Sequence, residues 1–89
     1  MVKFYRIKRI EIDEQKIKDG EPIEVDVITE YGHESTLCLV FKDKTRNSDQ
    51  NTVHLSFEFP VDHPLHDHAY IFGYYDLTHR EGKLRVYHQ

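Results

Sequence analysis

The chain has no tryptophan, one cysteine, three prolines and four glycines among its 89 residues. Each scarcity excludes something. A lone Cys38 cannot form an intrachain disulfide, whereas small secreted domains are usually stapled by an even set of cysteines. The reading is therefore a protein made in a reducing compartment and cytoplasmic. So few glycines and prolines exclude a collagen-like or linker-like chain. Long hydrophobic runs are missing as well. The longest is Leu37 to Phe41, far short of the roughly 20 apolar residues of a membrane span, so no membrane partner is expected. The opening MVKFYRIKRI interleaves charge with apolar residues and lacks the continuous apolar stretch of a secretory signal.

Catalytic signatures are equally scarce. There is no glycine-rich phosphate loop, and Ser35, Ser48 and Ser56 do not sit in a Gly-x-Ser-x-Gly elbow. No paired-carboxylate signature stands out. An enzyme also needs a pocket of several hundred Å3 with convergent polar groups, which a lone chain of this size struggles to supply. The expectation is a protein that is not an enzyme.

Positive charge is in deficit: 12 Lys and Arg against 16 Asp and Glu give a net charge of −4. That balance argues against general nucleic-acid binding through a basic face. The distribution is uneven. Residues 1–10 carry Lys3, Arg6, Lys8 and Arg9 and no acid, while residues 11–35 carry nine acids against Lys16 and Lys18. One reading is a basic strand beside an acidic one, with cross-strand ion pairs worth roughly 0.2–1 kcal/mol each. The other is an electrostatic docking face. Seven histidines, all protonated, would move the net charge from −4 to +3, so charge depends on pH below about 6.5.

What is present is period-two alternation. Ile23, Val25 and Val27 alternate with Glu24 and Asp26, and Val53, Leu55, Phe57 and Phe59 alternate with His54, Ser56 and Glu58. Leu37, Leu39 and Phe41 form a third strand, with Cys38 read as a small buried hydrophobe covered on the opposite face. Leu84 and Val86 form the last. In the first strand Tyr5 and Ile7 share one parity and Phe4 and Ile10 the other, which a bulge near Lys8-Arg9 explains. A helix between Ile12 and Lys18, capped by Asp13, competes there with a strand or turn. The latter is preferred, because only Ile12 and Ile17 would face a core. Asp19-Gly20-Glu21-Pro22, Tyr31-Gly32-His33 and Arg80-Glu81-Gly82-Lys83 read as turns, and residues 43–51 as a polar loop. Residues 1–89 then form one all-β antiparallel domain of about six or seven strands, a meander-type sandwich or partly open barrel.

Two constellations remain. In residues 62–68, DHPLHDH, His63, His66 and His68 are candidate ligands for zinc or another divalent transition metal, with Asp67 orienting one imidazole. The competing reading is a solvated loop that needs no cofactor. The order of residues matches neither the His-x-His-x-Asp-His run of metallo-hydrolases nor a cupin motif. The second constellation is residues 69–77, AYIFGYYDL. As a strand it sets Tyr70, Phe72 and Tyr74 on one face and Ile71, Gly73 and Tyr75 on the other. Either a second layer buries both faces, or tyrosines of this strand, Tyr75 included, form an interface. A base-stacking platform is a third reading, set against the charge balance and the missing Lys/Arg-Gly-aromatic-Gly/Ala-Phe run of RNA-recognition domains. The functional expectation is a small interaction module of inhibitor, adaptor or immunity type, of phage or mobile-element character by its size and charge. It binds a protein partner or a second copy of itself, with a metal-binding protein or small metal-dependent enzyme that uses the three histidines as the alternative.

Overall fold

The computed structural model describes residues 2–46 and 51–88. Six strands follow one another: β1 (Val2–Ile10), β2 (Pro22–Thr29), β3 (Glu34–Arg46), β4 (Thr52–Glu58), β5 (Ala69–Asp76) and β6 (Glu81–His88). Every strand pairs antiparallel with the next, and β1 pairs with β6, so the sheet closes into an up-and-down barrel. Closure answers the problem posed by the alternating pattern. One apolar face per strand has to be covered, and rolling the sheet buries all of them against each other while leaving no strand edge unpaired. The molecule measures 37 × 33 × 19 Å. The short dimension is about what two layers some 10 Å apart need once outward side chains are added, so the barrel is flattened.

The interior is filled by the alternating residues. Val25, Val27, Leu39, Ile71 and Leu84 are fully enclosed, and Leu55 and Phe57 lie between them as the pattern requires. Phe41 and Phe57 meet with ring centroids 4.7 Å apart at an interplanar angle of 36°. Among the described residues no charged side chain is buried, and no buried polar side-chain atom lacks a partner. Room for the bulky residues comes from two glycines. Gly73 faces Leu84 and Gly82 faces Tyr75 across β5 and β6, and a Cβ at either would overlap a backbone carbonyl oxygen, that of Lys83 or of Tyr74. The absence of a side chain at both positions lets the barrel close tightly.

The bulge near Lys8-Arg9 is present as a register shift between Ile7 and Arg9 in the β1–β2 pair. A second shift falls between Phe41 and Asp43 in the β3–β4 pair. The polar loop expected over residues 43–51 is shorter than its composition suggested. Asp43 to Arg46 continue β3, and residues 47–50 lie outside the described residues.

Three local expectations need correction. A helix, α1 (Glu14–Asp19), forms where a strand or turn was preferred. The Asp13 carboxylate accepts from the Gln15 and Lys16 amides, and Gly20, at φ 68°, ends the helix in the left-handed region. Caps at both ends and the packing of Ile12 and Ile17 on the core suffice for this short helix. Cys38 is exposed rather than buried, because its neighbours Leu37 and Leu39 point inward and a single barrel has only one interior. For the same reason β5 is covered on one face only. Ile71 and Tyr75 are inside, and Tyr70, Phe72 and Tyr74 are outside.

Candidate functional site: an aromatic and cationic face on β1, β6 and β5

The closing pair β1–β6 and the hairpin β5–β6 set three strands side by side, and their outward residues fall into register. Val2 stands opposite Tyr87, and Tyr87 opposite Tyr70. In the next row Phe4 stands opposite Arg85, and Arg85 opposite Phe72. In the third, Arg6 stands opposite Lys83, and Lys83 opposite Tyr74. Registered partners in an antiparallel pair share a face, so these nine residues form a three-by-three array: five aromatic rings, three cations and a valine, with no acid.

The rings are presented to solvent. Phe4 is 51% exposed, Tyr70 50%, Phe72 48% and Tyr74 39%. Their geometry is ordered. The Tyr70 and Phe72 rings lie within 18° of parallel with centroids 6.5 Å apart, and Tyr87 meets Phe72 edge-on at 6.2 Å. The Arg85 guanidinium carbon lies 5.9 Å from the centre of the Phe4 ring, a cation–π arrangement that holds its charge over the face. Among the described residues Arg6, Lys83 and Arg85 make no ion pair, and Glu30 is the acid that lines a shallow pocket with Phe4 and Arg6.

Acids stand at the borders. Glu81 and Asp76 pair at one end of the β5–β6 hairpin, and Glu34 lies beyond Ile28 on the β2 side. On the β4 side a shallow groove of about 540 Å3 runs past Phe72, between Ser56, His54, Lys42 and Asp43. Lys8, farther along β1, is paired with Glu34, which holds its ammonium above the usual lysine range, chiefly through the hydrogen bond itself. The expected pairing of the basic strand with the acidic segment thus occurs at Lys8, while Arg6 stays on the aromatic face.

The remaining proposed residues separate. Tyr75 is 8% exposed and points into the barrel, so it does not belong with Tyr70, Phe72 and Tyr74: strand alternation sends it the other way. The three histidines of the β4–β5 connection do not converge. The His63 ring stacks on Phe59 with centroids 4.3 Å apart, and its Nδ1 accepts the Leu65 amide. His66 Nδ1 meets the Phe59 carbonyl oxygen at 2.8 Å, which raises its pKa above the usual histidine value. His68 is exposed, and its backbone amide closes a turn onto Leu65. Both Nδ1 atoms are thus engaged in shaping the loop. Among the described residues no group of three or more His, Cys, Asp or Glu side chains is placed to hold a metal ion.

Phe4, Arg6, Lys83, Arg85 and Tyr87 escaped the sequence reading. Their signal was the outward parity of β1 and β6, but it becomes legible only once those two strands are known to be neighbours. Comparison with known protein families, characterised proteins and solved structures gives no match to this chain.

Proposed function

We propose that the chain is a binding module, not a catalyst, and that it engages another macromolecule through the outer face of β1, β6 and β5. The observation that carries this reading is the array itself, in which five rings and three cations share one surface without an acid among them. Aromatic residues and arginine are the side chains enriched where binding energy concentrates, because they bring large contact area with few rotors to immobilise. A contiguous exposed apolar patch of this kind is unusual on a small monomer unless it has a partner. The apolar filling of the barrel supports binding over catalysis, since a substrate would have to be handled on the surface. A symmetric contact with a second copy is disfavoured, because it would bring six cations, Arg6, Lys83 and Arg85 from each copy, onto one small surface whose array holds no acid.

The test is site-specific photo-crosslinking in cells that make the full chain. A photoreactive residue at position 72 is compared with one at position 38, which is exposed on β3, three strands from β6 in either direction around the barrel. A discrete crosslinked macromolecule from position 72 and none from position 38 is the expected result. No adduct at 72, or identical patterns at both positions, removes the reading.

A further inference from the structure

We propose that the macromolecule bound on this face is a single-stranded nucleic acid, whose bases stack on Phe72 and its neighbouring rings while Lys83 and Arg85 hold its phosphates. The inference rests on the binding face proposed above and names its partner. Single strands offer two chemistries at once, a flat apolar base and an anionic backbone. The platforms that bind them combine stacking rings with cations on one solvent-facing surface. Here both lie in one register: Phe72 beside Arg85, and Tyr74 beside Lys83. Alternate outward residues along a strand are about 6.7 Å apart and neighbouring strands about 4.8 Å, so the array covers roughly 13 by 10 Å. That is the scale on which sheet platforms stack two or three bases.

The net charge of −4 describes the whole chain and not this face. Acids stand at the borders of the array: Asp76 and Glu81 form the row beyond Tyr74 and Lys83, and Glu30 lines a shallow pocket with Phe4 and Arg6. Phe72 and Arg85, at the centre, lie two outward rows from Asp76 and Glu81, about 13 Å along the strands. Exposed charges at that separation are largely screened at physiological salt, where the Debye length is about 8 Å, so Arg85 keeps its positive field beside the Phe72 ring. Duplex DNA offers the same phosphates but hides its base faces, so a stacking surface discriminates against it. An acidic protein offers the charge without the bases.

Fluorescence anisotropy with labelled oligothymidylate and oligouridylate tests the proposal, with a duplex and polyglutamate as comparison probes. The expected result is saturable binding of the single strands at about 50 mM salt, stronger than that of the duplex or polyglutamate. Phe72→Ala should weaken it about tenfold or more. Lys83→Ala combined with Arg85→Ala should weaken it and lower the slope of log affinity against log salt by about 1.4, since each phosphate contact on a single strand contributes about 0.7. Cys38→Ser, on the far side of the barrel, should bind as the parent does. Circular dichroism melting of each variant confirms that the barrel is intact. Absence of saturable binding, equal binding of polyglutamate, or an unchanged affinity for a folded Phe72→Ala protein overturns the proposal. If position 72 crosslinks a protein while oligonucleotides fail to bind, the nucleic-acid assignment falls and the binding face stands. If position 72 crosslinks nothing, both fall.

Discussion

At the scale of single residues, the contrast between Tyr74 and Tyr75 carries the most information. They are adjacent, they have the same side chain, and alternation sends one outward beside Lys83 and the other into the barrel opposite Gly82. Tyr75→Ala removes a buried ring, and large-to-small changes of an aromatic core residue cost roughly 3–5 kcal/mol. Tyr74→Ala removes a ring that is 39% exposed, so its effect on folding should be much smaller and its effect on binding the larger. Urea unfolding of the two variants measures the first quantity, and anisotropy or crosslinking the second. Equal destabilisation by both would contradict the assignment of faces. Only half of this was legible in the sequence. Alternation alone separates Tyr70, Phe72 and Tyr74 from Tyr75, but it does not say which set is covered. That depends on closure of the barrel, a contact between residues at opposite ends of the chain.

At the scale of elements, the legible parts were those with strong local periodicity. The inward set of β4 and the bulge in β1 were readable because a two-residue period has only two phases, and a switch of phase requires an extra residue. Helix α1 was not readable from its apolar residues, because two isoleucines make a weak stripe. Its stability lies in the caps, which satisfy amides and carbonyls that periodicity does not register. The histidine-rich connection was misleading for a related reason. Spacing places histidines near one another, but the backbone bonds of His63 and His66 decide where their rings point.

The turn after β5 is built the same way and makes a prediction about pH. The Asp76 carboxylate accepts from the Thr78 and His79 amides at 2.8 and 3.0 Å, and its second oxygen meets His79 Nδ1 at 3.0 Å. The His79 amide, followed by its imidazole, holds Asp76 below its ordinary value of 3.8, and Asp76 in turn raises His79 above its ordinary 6.5. The signs follow from linkage. The aspartate contribution is present above pH 3.8 and is lost as pH falls through the lowered value. The histidine contribution is present below pH 6.5 and is lost as pH rises through the raised one. The turn is therefore tightest between those two values. Titration of His79 followed by NMR should show its midpoint falling toward the ordinary value in Asp76→Asn, with faster exchange of the Thr78 amide. An unmoved midpoint would show that the pair does not form in solution.

At the scale of the whole molecule, closure makes the six strands interdependent. A domain of 89 residues has a total stability of about 4–13 kcal/mol at roughly 0.05–0.15 kcal/mol per residue, so one large cavity is a serious loss. Phe57 is the residue on which most depends. It is 2% exposed, its ring meets Phe41 of β3, and its backbone lies opposite Ile71 of β5, so it ties three consecutive strands to one another. Phe57→Ala should cost about 3–5 kcal/mol. At roughly 4–8 °C per kcal/mol for a domain of this size, the melting temperature should fall by 12 °C or more, about the margin of a modestly stable protein. Ser56→Ala, the adjacent change on the outer surface, should stay within about 0.5 kcal/mol. Because every strand has two neighbours, unfolding followed by far-ultraviolet circular dichroism and by tyrosine fluorescence should give coincident transitions in the parent protein. A Phe57→Ala protein that melts with the parent would mean that the barrel does not close around this ring.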